Sequence, residues 1–250
     1  MSNAQQTINK LRELRLNPMA EAYLSQLQQP KLHQLGFDDR FSLIVDHEAS
    51  ERSSKSLKRL IKSANFPEQA TLEDLDDRPA RGIDKAKIAA LANCEWISQL
   101  LNVIIIGATG VGKTWFACAF GAQACRQRIP TLFYRASDLY SEIAVAIIDG
   151  SLPKLKAKLI KPKVLVIDDF GLGVVTPQAA QVLLDVIDKR MRTGSLLITS
   201  QFPTEEWFSH FPDPTMADAI LDRVIHQSHR INLKGDSMRK LNAKRRMKRD

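Results

Sequence analysis

Apolar side chains recur at helical spacing up to about residue 64. Ala20, Tyr23, Leu24 and Leu27 make one stripe, Phe37, Phe41, Ile44 and Val45 a second, and Leu57, Leu60, Ile61 and Ala64 a third. This pattern predicts a small all-helical N-terminal domain over residues 1–64. Residues 65–100 are mildly acidic, with turn signals at Phe66-Pro67 and Arg78-Pro79, and read as a linker that runs into a helix near 85–93 and begins the next domain. From Asn102 onward the rhythm changes. Short β-branched runs at 103–106, 131–134, 164–167, 196–199 and 230–233 alternate with helical patterns at 113–128, 137–148, 178–192 and 217–227. Continuous apolar strands separated by helix-length segments are what a parallel sheet buried on both faces requires. The predicted fold is α/β and doubly wound, a core over 101–235 followed by a basic tail at 236–250.

Composition narrows this picture. With 250 residues, 44% of them hydrophobic and 26% charged, the chain can bury a core, which excludes disorder throughout. The apolar run at 103–106 is far too short to cross a bilayer, so no membrane partner is expected. The polar start, Met-Ser-Asn-Ala-Gln-Gln, lacks an apolar signal core, and Cys94, Cys118 and Cys125 form no C-x-x-C pair. Both features point to a cytoplasmic protein with inert, buried thiols.

The formal charge is +8, and its location matters more than its size. The first 229 residues are nearly neutral, whereas the last 21 carry nine Lys/Arg, among them Arg239, Lys240, Lys244, Arg245, Arg246, Lys248 and Arg249, against two acids. That reads as a flexible cationic arm. Two smaller clusters are masked by nearby acids. Arg52, Lys55, Lys58, Arg59 and Lys62 fall on the arc opposite the Leu57–Ala64 stripe and could lie along a phosphate backbone or be an ordinary solvated face. Lys154, Lys156, Lys158, Lys161 and Lys163, flanked by Pro153 and interrupted by Pro162, make a second candidate anion-facing surface or a plain one.

Directly after the first predicted strand stand Gly107, Ala108, Thr109, Gly110, Val111, Gly112, Lys113 and Thr114, a complete G-x-x-x-x-G-K-[ST] between a strand and a helix. Glycines let successive backbone N–H groups curl around phosphate oxygens, and the helix that follows presents its positive end to the same anion. Lys113 suits the β and γ phosphates as a mobile charge, and the Thr114 hydroxyl is a hard ligand for Mg²⁺. About fifty residues on, a buried strand ends in Asp168 and Asp169. In a P-loop protein the first carboxylate holds Mg²⁺, usually through water, and the second can orient or deprotonate an attacking water. His226-x-x-His229 has no further ligand at metal spacing and reads as structural.

With these motifs, the chain resembles the AAA+ ATPases, and within them the clade of DnaC-type helicase loaders and IstB-type transposition helper ATPases. The similarity extends to Ile-Thr-Ser-Gln, Ala-Ile-Leu-Asp-Arg-Val and Gly-Asp-Ser-Met-Arg-Lys. The resemblance implies a γ-phosphate sensor in Thr199-Ser200-Gln201, Gln201 first and Ser200 second. It makes Arg223 an arginine inserted into the nucleotide site of a neighbouring subunit, and Arg239 similar to a second sensor arginine that acts in its own site, in a neighbour's, or on DNA. Only about a dozen residues follow Arg239, too few for the lid that many AAA+ proteins have. Asp169 stands where Glu is common, one methylene shorter, which implies slow hydrolysis. The function implied is an ATP- and Mg²⁺-dependent homo-oligomer that binds duplex DNA without sequence preference, remodels it and assists a cognate transposase. A DnaC-like replicative helicase loader is the alternative. A small-molecule kinase leaves the first 100 residues unexplained, and a nucleotide-gated scaffold with little turnover is the remaining option.

Overall fold

The computed structural model describes residues 2–75 and 82–238. Contacts divide the chain into two units, Met1–Arg59 and Leu60–Asp250.

The first unit is helical. α1 (Asn3–Glu13) starts at Ser2, whose hydroxyl accepts the Gln5 N–H, and α2 (Asn17–Gln28) has Pro18 in its first turn, where a missing N–H costs nothing. α3 (Phe37–Ala64) carries two of the predicted stripes. The predicted stripes face inward only in part: on this helix Ala64 is buried and Leu57, Leu60 and Ile61 are half-buried. Ile44 and Glu48 are buried, whereas Phe37 is 70% exposed, and Phe41, Val45, Leu24 and Leu27 are also exposed. Glu48 takes the inner position because it accepts the Met19 N–H at 3.1 Å and an ion pair from Arg52, so its carboxylate is satisfied without water.

In the second unit, residues 65–75 and 82–100 are packed structure and not a linker. They contain a 3-10 turn at Leu72–Asp74, α4 (Lys85–Ala92) and α5 (Glu95–Ser98), and they bury Ala70, Ile88, Leu91, Trp96 and Ile97. The sheet that follows consists of β1 (Asn102–Gly107), β2 (Thr131–Arg135), β3 (Val164–Asp168), β4 (Ser195–Ser200) and β5 (Ser228–Leu233), all parallel in the order β2-β3-β4-β1-β5. The connecting helices are α6 (Lys113–Arg126), α7 (Ala136–Ile148), α8 (Leu152–Ile160), α9 (Pro177–Arg190) and α10 (Pro214–Ile225). α8 was not anticipated. Its alternation of Leu155 and Leu159 with Lys154, Lys156 and Lys158 is an amphipathic helix whose charges obscured its apolar face.

Side-chain alternation along each strand produces the double winding. Ile104, Leu165, Ile167, Leu196 and Ile198 join a core covered by α7, α8, α9 and α10, while Val103, Ile105, Val164, Val166 and Leu197 join a second core under α4 and α6. At the N-terminal ends of the strands sits Arg190, 1% exposed. Its terminal nitrogens donate to the carbonyls of Leu159 (2.8 Å), Pro162 (2.8 Å), Lys163 (3.1 Å) and Ser195 (2.7 Å), and more weakly to Ile160. One cation thus ties the exit of α8 to the starts of β3 and β4. Gly194 is required beside it, since a Cβ there would lie 2.5 Å from the Lys163 carbonyl oxygen. All three cysteines are buried and unpaired, and burial pushes the thiol pKa of Cys94 to about 11 and of Cys118 to about 12. Among the described residues no helix is long and apolar enough to cross a membrane.

Candidate nucleotide site

The order of the strands brings three separate stretches of sequence to one edge. β1, β3 and β4 all end at the same side of the sheet, with β4 between the other two. Ligand sites in open parallel sheets form there, where the connections diverge.

β1 leads into the glycine-rich loop. Gly110 (φ +86°) and Gly112 (φ +98°) adopt the left-handed conformation that residues with a Cβ avoid, and α6 begins at once with Lys113. Lys113 is buried along its length and its Nζ donates to the Ala108 carbonyl at 3.1 Å, inside the curl of the loop. At the second residue of α6, the Thr114 hydroxyl donates to Asp168, 3.1 Å from Oδ1 and 2.9 Å from Oδ2. The two expected Mg²⁺ ligands therefore face each other although 54 residues separate them.

Asp168 is wholly buried. Burial raises its pKa above the ordinary carboxylate value and the neighbouring Asp169 adds to this; hydrogen bonds from Thr199 and Thr114 and the charge of Arg135 offset it in part. A second oxygen donor, Thr199 Oγ1, reaches Asp168 Oδ1 at 2.5 Å and accepts the Asp169 N–H at 3.0 Å. Thr199 thereby links the Asp168 carboxylate to the backbone of Asp169. Asp169 itself has φ +56°, so the chain turns sharply after Asp168 and sends the second carboxylate off the line of the strand.

The residues expected to sense phosphate separate. Gln201 Oε1 accepts the Thr109 hydroxyl at 2.7 Å, which joins it to the rim of the loop. Ser200 is fully buried, donates to the Phe170 carbonyl at 2.7 Å and accepts from Trp207 Nε1 at 3.1 Å, so it holds the Trp207 ring and has no contact with the cradle. Of the segment Thr199-Ser200-Gln201, it is Thr199 that lies beside Asp168. The register that pairs Ile167 with Ile198 puts Thr199 there, and only the paired strands reveal it. Arg135 was missed for the same reason: β2 aligns it with Asp168.

Arg223 lies far from this edge. Its Nε is hydrogen-bonded to Asp188 on α9 and its Nη1 to the Ala219 carbonyl at 2.6 Å, while its own carbonyl meets the amide of Asn102, the first residue of β1. Because the loop follows the last residue of β1, about 17 Å of strand separates them.

The basic clusters have unequal freedom. On α3, Arg52 and Lys55 pair with Glu48 and Glu51 one turn back, and Lys58, Arg59 and Lys62 are exposed. Lys154 is exposed, but Lys156 is bound to Asp185 at 2.6 Å and Lys158 to Glu142 at 3.0 Å, over the Tyr134 ring, so the expected five-lysine surface is partly spent on internal pairs. Arg239, Lys240, Lys244, Arg245, Arg246, Lys248 and Arg249 lie outside the described residues.

A nucleotide polyphosphate with a divalent cation fits these residues. Two left-handed glycines open the loop, Lys113 and a helix start supply positive charge, and Thr114 with Asp168 supplies hard oxygen. Among the described residues no group of three or more His, Cys, Asp or Glu could hold a metal alone, so water and phosphate oxygens would complete the cation's shell. His226 pairs with Asp222.

Comparison with known proteins agrees with this geometry. A family model described as IstB-like ATP binding protein matches residues 9–246. A Sinorhizobium fredii protein named for ATP binding in an insertion sequence is 37% identical over 237 residues, covering 95% of this chain and 97% of its own. A Pseudomonas fluorescens protein, named for ATP binding in insertion sequence IS1162, is 44% identical over 201 residues, 80% of this chain and 87% of its own. Among solved structures, DnaI superposes with a TM-score of 0.57 at 19% identity over 71% of this chain and 94% of its own, a likeness of fold. On its sequence, its parallel sheet and its phosphate cradle, the chain belongs to the IstB-like ATP-binding proteins of the AAA+ fold.

Proposed function

We propose that this protein is an ATPase that assembles as a homo-oligomer on duplex DNA, remodels it and assists the transposase of an insertion sequence. The observation that carries the reading is the position of Arg223 relative to the cradle. Bound ATP with Mg²⁺ supplies a phosphoanhydride whose hydrolysis can drive or time a change in assembly. On the chain's side, Lys113 and the loop N–H groups hold phosphate, Thr114 and Asp168 hold the cation, and Thr199 fixes Asp168 against its own burial penalty. Asp169 is the base or orienting group for water, and Gln201 stands on the loop rim through Thr109.

Arg223 is at the opposite end of β1 from its own cradle, held by Asp188 in a side chain one-third exposed. A guanidinium so placed serves another subunit's phosphates or none. This supports an oligomer in which turnover needs a neighbour. Exposed Lys58, Arg59, Lys62 and Lys154 support contact with a phosphate backbone by charge alone, and the names of the relatives support the insertion-sequence setting.

The test pairs assembly with turnover. Sedimentation with a non-hydrolysable ATP analogue should give a larger particle with long duplex DNA than without it, and tighter binding to duplex than to single strands. Arg223→Ala should bind ATP normally yet lose hydrolysis in the assembled state by about 10³-fold or more, the value of a trans-acting arginine in other phosphate-transferring enzymes. Unchanged turnover in that variant, or no preference for duplex, would count against the proposal.

A further inference from the structure

We propose that the backbone at Ser237 and Met238, just past the last strand, is a positioning element of the phosphate cradle. Two independent contacts join it to the loop. The Met238 N–H donates to the Gly110 carbonyl at 2.8 Å. Ser237 packs on the same residue so closely that a Cβ on Gly110 would lie 2.4 Å from Ser237 Oγ and 3.0 Å from its Cβ. Gly110 is thus glycine for two reasons, its left-handed φ and the chain lying on it.

The orientation of one peptide group gives this contact its function. In a trans peptide the carbonyl and the next N–H point in opposite directions. A Gly110 carbonyl held outward by Met238 therefore turns the Val111 N–H inward. That N–H meets the Ala108 carbonyl at 3.4 Å, and the same oxygen receives Lys113 Nζ at 3.1 Å. The Val111 N–H thus faces the side where the lysine lies, in a long hydrogen bond that a phosphate oxygen would readily replace.

The same segment grips the loop at its entry. Gly107 pairs with Leu233 at the end of β5, and a Cβ on Gly107 would lie 2.6 Å from the Leu233 carbonyl oxygen. Lys234, left-handed Gly235 and Asp236 then carry the chain back over Gly110. The loop is pinned at two points by residues immediately ahead of the basic arm. Nucleotide affinity and the hold on the arm are therefore linked, and linkage acts equally in both directions.

The inference rests on ATP binding alone and does not need the DNA or transposase reading. In the full chain, Met238→Pro deletes the donor and Met238→Leu keeps it. Met238→Pro should bind ADP and a non-hydrolysable ATP analogue about fivefold more weakly, the worth of one net hydrogen bond, with Met238→Leu equal to wild type. Thermal unfolding without nucleotide checks that the variants fold. A second measurement uses the unmodified protein: nucleotide should slow trypsin cleavage after Arg239 and Lys240 by a similar factor, read by mass spectrometry. Wild-type affinity in Met238→Pro, equal loss in both variants, or cleavage insensitive to nucleotide would overturn the proposal. A wild-type protein that binds neither nucleotide would sink the ATP-binding reading and this proposal with it.

Discussion

Replacement of Arg190 by methionine tests how the nucleotide edge is held from the far end of the sheet. Burial lowers the guanidinium pKa from its ordinary value to about 10, which corresponds to about 3 kcal/mol against the charged side chain. Against this stand three short donations to carbonyls, 2.7–2.8 Å long, each worth about 1.5–3 kcal/mol because the donor is charged. The balance favours Arg190 by about 2–6 kcal/mol. Methionine fills much of the volume but satisfies none of the carbonyls of Leu159, Pro162 and Ser195. For a unit of this size each kcal/mol is about 2–4 °C, so Arg190→Met should lower the unfolding midpoint by about 10 °C, followed by circular dichroism at 222 nm. Arg190→Lys, with one nitrogen in place of a fork, should recover less than half of that. A methionine variant within 2 °C of wild type would show that the five carbonyls find water and that the clamp is incidental.

Other outcomes follow from the cradle. Lys113→Ala should abolish ATP binding, and ATP-dependent assembly in that variant would refute the site. Thr199→Val removes both the short donor to Asp168 and the acceptor of the Asp169 N–H, so stability should fall by about 1–3 kcal/mol in denaturant titrations and hydrolysis should fall with it; normal turnover would return the sensing role to Gln201 alone. Asp168→Asn should abolish Mg²⁺-dependent hydrolysis yet stabilise the nucleotide-free protein. Because the folded-state pKa of Asp168 is raised, its charge costs stability fully above that pKa and the cost fades to nothing as pH falls below the unfolded-state value, so the gain should shrink toward acid. A gain that grew toward acid would contradict the burial argument. Deleting residues 240–250 should weaken DNA binding and flatten its salt dependence, measured by fluorescence anisotropy from low to moderate salt; an unchanged slope would remove the arm from the interface.

Sequence pattern carried the site only as far as single stretches of chain. The glycine loop was legible because its chemistry is contiguous, and β1 to β4 because both faces are buried and leave apolar runs, whereas β5 alternates exposed Arg230 and Asn232 with buried Ile231 and Leu233. What failed needed partners. Thr199 and Ser200 are adjacent polar residues closing the same strand, and only the β3–β4 register decides which one faces Asp168. Residues 65–100 looked like a linker because of their acids and the turn signals at Phe66-Pro67 and Arg78-Pro79, yet Ala70, Ile88 and Trp96 find a ready-made core on α6 and β1. On α3 the exposed phenylalanines and the buried Glu48 reverse the hydrophobic rule, because Glu48 is fully bonded while Phe37 and Phe41 stack on each other.

The order of strands also sets a timetable for synthesis. β1 carries the glycine loop, but both its neighbours, β4 and β5, lie in the last quarter or so of the chain. When the loop leaves the ribosome, about 125 residues remain before β5 is complete, a wait of roughly 6–25 s at usual elongation rates. For most of that interval β2 and β3 can pair with each other, but β1 has no edge to join until β4 is made. A message truncated between Thr114 and Leu233 therefore yields a polypeptide that contains the whole phosphate-binding motif without the strand pairing that holds its first glycine in place.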